Sequence, residues 1–345
     1  MKLTPAHTFK TPEIYGDFWF NSEPLAIHAL QGQVVLLVFW DYTSAPSLRA
    51  LSIVDEWHQR YAEMGLVVIG IHSPEFPFGR DPRRVERAIR ELWINFPVTT
   101  DNSHGMWDAF RVQELPAIFI IDREKNIRSS FTSDTGFEQA ERIIQSLLRD
   151  SGYHGELPTL SESVFRNISP ESRFQHSTPM MLTGYLHGAL GNIEGYSREL
   201  AADYVDPSMY LEGKFYAQGN WIAKRDSFEL DQTTGEGYVI FRYAAGDVNA
   251  VMASVVEEST VRVLHDGAAV AKQYRGDDVV TDENGNTVMK INEPRLFNII
   301  KSPEIGEHTL KLIPTSTGTA LYSFSFDNGY LPSFHILRKN SFRNN

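Results

Sequence analysis

The chain has 345 residues, room for two domains, because single hydrophobic cores seldom grow beyond about 250–300 residues. Its 42% hydrophobic and 22% charged residues are ordinary globular proportions. The net charge of −12 argues against a nucleic-acid partner, which needs clustered Lys and Arg, and the absence of cysteine removes disulfides, thiolate metal sites and every cysteine-based reaction.

No apolar run approaches the 18 or so residues of a membrane-spanning helix. The start, Met1-Lys2-Leu3-Thr4-Pro5, lacks the apolar core of a signal peptide, so a cytoplasmic location is the expectation. A leader already removed from an extracytoplasmic protein would leave the same trace.

Val34 to Trp40 is a continuous apolar, β-branched run, the pattern of a strand buried on both faces. Pro46 to Met64 follows with Leu48, Leu51, Val54, Trp57 and Tyr61 at helical spacing and Gly65 closing it. Leu66 to His72 is a second buried strand, which completes a right-handed βαβ unit. Asp81 to Leu92 reads as a helix with Asp81 as N-cap and Pro82 in the first turn. A short strand is expected at Phe96-Pro97-Val98, a short helix over Met106–Phe110 and a third strong strand over Ala117–Asp122. A turn at residues 123–126 leads into Ile127–Phe131, read as an edge hairpin, and Phe137–Leu148 is an amphipathic helix.

Residues 151–178 are rich in Ser, Pro, Gly and charge and read as a linker. Beyond Trp221 the apolar period becomes two, most cleanly in Ala320–Phe326, with turn signals at Asp266-Gly267, Asn284-Gly285, Gly306 and Gly318. Many short strands with frequent turns imply a β-sandwich of the jelly-roll kind. The expected domains are 1–150 (α/β), 151–178 (linker), 179–330 (all-β) and 331–345 (tail).

The most informative stretch is Phe39-Trp40-Asp41-Tyr42-Thr43-Ser44-Ala45-Pro46-Ser47. A strand ending in Phe-Trp, a short loop and x-x-Pro-x opening a helix resemble the thioredoxin active site, whose Cys-x-Pro-Cys stands here as Ser44-Ala45-Pro46-Ser47. Glu114-Leu115-Pro116-Ala117, directly before a strand, resembles the segment with the cis-proline of that fold. Asn21-Ser22-Glu23-Pro24-Leu25, Gly70 to Phe76 and Asp101-Asn102 narrow the resemblance to the TlpA/DipZ-type thioredoxin-like (redoxin) family. Thr178-Pro179, Gly184-Tyr185 and Gly191-Asn192 resemble the segment that follows the redoxin domain in DipZ-type proteins, and mark the β domain as carbohydrate-binding-module-like.

The resemblance implies a thioredoxin-like α/β fold followed by an all-β sandwich, and a thiol–disulfide oxidoreductase lineage with protein thiol or disulfide partners. Such proteins are often tied to a membrane electron donor, for which this sequence holds no spanning segment. Their chemistry needs a thiolate activated at the helix N-terminus and a second thiol that resolves the mixed disulfide. Serine keeps the shape but offers no oxygen analogue of that exchange, so Ser44 and Ser47 make the chain redox-inactive as written. Val38 stands where thioredoxin buries an acid under its active-site helix.

Three functional classes follow: an oxidoreductase-family pseudoenzyme or Cys-to-Ser variant, a module binding a protein or glycan, and, last, a serine hydrolase. For the hydrolase, His72 and Glu75 are the nearest partners of Ser44 or Ser47, but no Gly-x-Ser-x-Gly elbow is present. The simpler reading makes Ser44 a helix cap and His72 a structural residue. Trp40, Asp41, Tyr42, Pro46, His72, Glu75 and Leu115 are candidates for lining a peptide groove, against core packing with a solvated rim. Asp277, Asp278, Asp282 and Glu283 offer oxygen ligands for calcium, but at no EF-hand spacing, so a solvated turn is favoured and no metal or cofactor is expected. Trp221, Tyr243 and Tyr274 are candidates for stacking on sugar rings or for the sandwich core.

Overall fold

The computed structural model describes residues 9–132, 136–161, 176–232, 236–255 and 258–328. They fall into two compact units, one holding the described residues up to 161 and the other those from 176 onward. Most of the expected linker (162–175) and the expected tail lie outside the described residues.

The first unit runs β1 (Phe9–Lys10), β2 (Trp19–Phe20), β3 (Val34–Trp40), α1 (Ala45–Tyr61), β4 (Leu66–His72), α2 (Pro82–Glu91), β5 (Val98–Thr100), α3 (Gly105–Phe110), β6 (Ala117–Ile121), β7 (Asn126–Thr132) and α4 (Phe137–Asp150). The sheet order is β1-β7-β6-β3-β4-β5-β2. β3 pairs parallel with β4 and antiparallel with β6, so it lies at the centre of a mixed sheet. All seven of its residues are buried: Val35, Leu37 and Phe39 pack with Ile69, Ile71, Phe110 and Phe119, while Leu36, Val38 and Trp40 are buried on the opposite face. A β-branched, two-sided apolar run has no other stable place.

α1 begins one residue earlier than its apolar spacing indicates, because Ser44 caps it, and its last turn tightens to a 3-10 turn at Ala62–Met64 before Gly65. α2 starts after Asp81, whose side chain accepts from the Arg83 N–H, and Pro82 supplies the first helical position. β7 is not an edge strand: it pairs with β6 on one side and with the two-residue β1 on the other. The sequence of β1 is too short and too exposed to announce this pairing. Residues 158–161 belong to this unit. Gln145 donates to the Pro158 carbonyl at 2.9 Å, and the Ser161 amide donates to the buried Glu141 carboxylate at 2.8 Å.

The second unit is all-β: β8 (Met181–Leu182), β9 (Ala201–Tyr204), β10 (Phe215–Ala223), β11 (Phe228–Gln232), β12 (Tyr238–Ser254), β13 (Ser259–His265), β14 (Ala268–Ala269), β15 (Val280–Thr281), β16 (Thr287–Ile291), β17 (Arg295–Pro314) and β18 (Thr319–Asp327). Its strands form one continuous hydrogen-bonded network. The 17-residue β12 pairs with β10 through its first half and with β18 through its second, and β10, β11 and β18 close the circuit. A register shift in its pairing with β17 falls at Ala245/Asp247, between those two halves. Trp221, Phe228, Phe241, Tyr243 and Phe324 fill the enclosed core.

The motif residues of this unit fix local geometry. A side-chain carbon on Gly184 would collide with the backbone at Arg225 and Asp226, and one on Gly191 with the Tyr216 ring. Asn192 ties β10 to the residue after β9, donating to the Val205 and Ala217 carbonyls and accepting from the Ala217 amide. Thr178 pins the chain to Ala244 through both its backbone and its hydroxyl. No helix among the described residues is long and apolar enough to cross a membrane.

Candidate functional site

The central strand β3 delivers its carboxyl end to the loop 41–44, where ligands of open α/β sheets usually bind. The β3–β6 register pairs Phe39 with Ala117, which brings Pro116 opposite the Trp40 end of β3, and the Leu115–Pro116 peptide is cis. The parallel register with β4 sets Trp40 beside His72, whose rings meet edge to face at 5.1 Å. A side chain at Gly70 would meet the Trp40 indole nitrogen at 3.0 Å, so this position of β4 keeps room for that ring.

Both serines are occupied by the backbone. Ser44 has extended backbone angles and caps α1, its hydroxyl accepting from the Ser47 amide at 3.4 Å. Ser47 is fully buried and its hydroxyl accepts from the Asp41 amide at 3.4 Å. Pro46 lies in the first turn, where its missing N–H is no loss.

Beneath this loop lies a buried carboxylate. Asp41 Oδ1 accepts from the Thr43 amide at 2.8 Å and the Thr43 hydroxyl at 3.0 Å, while Oδ2 accepts from the Glu75 amide. His72 Nε2 faces Asp41 Oδ1 at 3.6 Å, and both residues are fully buried. Burial alone would raise the Asp41 carboxyl, but the His72 contact and charge, with the Glu75 and Thr43 amides, outweigh it and hold the group below the usual carboxylate range. The Glu75 carboxyl is pushed up to about 8, first by the protein crowded around it and then by the Asp41 charge. The Glu75 residue also meets water, which screens part of this effect.

His72 is further enclosed by Tyr42, stacked on it at 5.3 Å and 13°. Trp40, Asp41, Tyr42, His72 and Leu115 are buried, Pro46 is half-buried and Glu75 is exposed. No hydrogen-bond chain joins Ser44 or Ser47, His72 and Glu75. Neither ring nitrogen of His72 has a hydrogen-bond partner, and the acid facing His72 is Asp41 rather than Glu75. Sequence reasoning missed that pairing, although Asp41 and His72 both stand at the carboxyl ends of neighbouring parallel strands.

In the β unit, Trp221 stacks on Phe228 at 5.0 Å and donates to the Gln218 carbonyl at 2.8 Å, and Tyr243 is 1% exposed. Trp221 and Tyr243 are thus core residues, while Tyr274 packs partly buried against that core. Three of the four acids considered for calcium have other partners. Asp278 pairs with Arg295 at 2.7 Å and accepts from the Asn298 amide, Asp277 faces Lys301, and Asp282 caps its own turn through Asn284 and Asn286.

Comparison with known proteins agrees with this architecture. Residues 32–127 match the thioredoxin-like family, and residues 184–327 match the thioredoxin-like C-terminal domain. Protein DipZ of Mycobacterium tuberculosis is 24% identical over 316 residues, covering 89% of this chain and 41% of DipZ, and DipZ of Mycobacterium bovis matches equally. The chain thus spans about two fifths of the length of these relatives. The thiol-disulfide oxidoreductase YkuV of Bacillus subtilis is 24% identical over 41% of this chain and 95% of its own length. The thiol-disulfide oxidoreductase ResA of Geobacillus kaustophilus is 24% identical over 34% of this chain and 64% of its own. The chain thus joins a thioredoxin-like domain over residues 32–127 to a thioredoxin-like C-terminal domain over residues 184–327, and over most of its length it is similar to DipZ.

Proposed function

We propose that this chain is a redox-inactive member of the thiol–disulfide oxidoreductase lineage, in which the redoxin unit serves as a binding scaffold. The observation that carries the reading is the state of the motif: Ser44 and Ser47 stand at the helix entrance, and their hydroxyls accept hydrogen bonds from the Ser47 and Asp41 amides. A hydroxyl of ordinary acidity, tied to the backbone and without a hydrogen-bonded base, neither attacks a disulfide nor resolves one. The buried Asp41 carboxylate adds to this, since a fixed negative charge under the loop opposes an anion forming at the helix N-terminus. Protein partners would then be held without a mixed disulfide, through exposed rim residues such as Glu75. The test is dithiothreitol-driven reduction of insulin, followed by turbidity. The expected rate equals that of dithiothreitol alone, and a clear acceleration overturns the proposal.

A further inference from the structure

The β unit gathers two imidazoles and a carboxylate on neighbouring strands, outside everything described above. β17 runs between β12 and β13, and the registers pair Tyr243 with His308 and His265 with Leu310. Residues 308 and 310 share one face of β17, so Tyr243, His308 and His265 come together on that face. β13 ends at His265, and Asp266-Gly267 turns the chain into β14, with Asp266 at φ 50 and Gly267 at φ 77.

The donor atoms converge. His308 Nδ1 lies 2.8 Å from Asp266 Oδ2, His265 Nε2 lies 4.0 Å from the same oxygen, and one atom from each of the three residues falls within a mutual 4.8 Å. Zinc bonds of about 2.0–2.2 Å in tetrahedral array separate neighbouring ligand atoms by roughly 3.3–3.6 Å, so small side-chain adjustments bring these three atoms to ligand spacing.

The surroundings fit as well. Asp266 Oδ1 is held by the Thr309 amide at 2.8 Å and hydroxyl at 3.2 Å, which directs Oδ2 toward the two rings. The Tyr243 hydroxyl stands 3.0 Å from His265 Nε2, placed to hydrogen-bond a fourth ligand once the nitrogen is engaged. A side chain at Gly306 would meet His308 Nε2 at 2.9 Å, so its absence leaves the ring its space. The His265 side chain is 9% exposed, that of His308 28% and that of Asp266 50%, so one side is walled and the other open to solvent.

We propose that His265, Asp266 and His308 bind a divalent transition cation of the zinc type, with water in the remaining position. Two neutral nitrogens and a single carboxylate select against calcium and magnesium, which prefer all-oxygen shells. In a chain without cysteine, a nitrogen–oxygen site of this kind is the one route to tight binding of such a cation. The sequence signal was the His265-Asp266-Gly267 turn, but His308 lies far along the chain and only strand register unites them.

The experiment is calorimetric titration of the untagged, chelator-treated full chain with zinc chloride near neutral pH. Binding of one equivalent is expected. Replacing any one ligand (His265→Gln, Asp266→Asn or His308→Gln) should weaken it roughly tenfold or more, whereas His28→Ala, at an exposed His–Glu pair of the first unit, should leave it unchanged. Circular dichroism identifies variants that remain folded. If one fails to fold, the other two decide, and tetrahedral visible bands with cobalt(II) in the unmodified chain give an independent reading. Absence of saturable zinc binding, or affinity unaffected by the folded variants, overturns the proposal.

Discussion

The Asp41 carboxylate and the His72 imidazole face each other across 3.6 Å in an interior that neither shares with solvent. The carboxylate also accepts from the Thr43 amide and hydroxyl within its own loop and from the Glu75 amide beyond β4. One carboxylate therefore ties the end of β3 to the segment after β4. Asp41→Ala strands two backbone donors and the buried ring together, and should cost about 3–5 kcal/mol, the usual penalty for removing one partner of a buried pair. Urea denaturation measures it, and a loss below 1 kcal/mol would show that the loop is held by other means. Because the Asp41 carboxyl is lowered in the folded state, its contribution is present above the ordinary value of 3.8 and is withdrawn as pH falls through the lower folded value.

Glu75 works in the opposite sense. Its folded carboxyl titrates at about 8 against an ordinary 4.5, so between those values the folded protein holds a proton that the unfolded chain has released. Stability should consequently decline as pH rises from 4.5 toward 8. Glu75→Gln should remove the Glu75 share of that decline, kept modest by the exposure of the residue, and leave the share of Asp55, whose carboxyl burial raises to about 6. Thermal melts of both proteins at pH 5 and pH 8 are the check: the two proteins should differ less at the lower pH, and parallel profiles would show that Glu75 does not titrate in this range.

How much of this was legible beforehand depends on how far apart the determinants lie in the chain. Val34–Trp40 and Leu66–His72 were readable to the residue, because two-sided burial leaves an unbroken apolar run. β1 was not, since Phe9 and Lys10 pair with β7 while remaining exposed. The redoxin motif was visible as a string, yet the burial of Trp40, Tyr42 and His72, and the choice of Asp41 rather than Glu75 to face His72, depend on strand register. In the β unit the alternation was clear, but it does not distinguish an aromatic that faces a ligand from one that fills a core, and Trp221 and Tyr243 fill the core.

Trp221 makes that last point measurable. The indole is fully buried against Phe228, and its N–H is spent on the Gln218 carbonyl. Trp221→Ala should cost about 3–5 kcal/mol through cavity formation. Denaturation followed by near-ultraviolet circular dichroism reads this directly. A variant as stable as the parent chain would place Trp221 outside the core and reopen a role for it in binding.

The final prediction restores what the motif lacks. Ser44 and Ser47 flank the first turn of α1, and Ser44 already makes the local contact that a first-position thiol would inherit. Ser44→Cys combined with Ser47→Cys should form an intramolecular disulfide in oxidising buffer, since residues so placed fall within the roughly 4.4–6.8 Å Cα separation that a disulfide tolerates. The helix N-terminus favours the thiolate at position 44, while the buried Asp41 carboxylate opposes it, and Val38 supplies no proton relay under the helix. Turnover in the insulin assay should therefore appear but stay slow, and a thiolate titration should place the first thiol above the range of strongly acidic redox cysteines. Mass spectrometry shows whether two hydrogens are lost on oxidation. If the double variant stays reduced, or forms only dimers between chains, the loop has departed from redox geometry altogether, and the scaffold role would rest on more than the missing thiols.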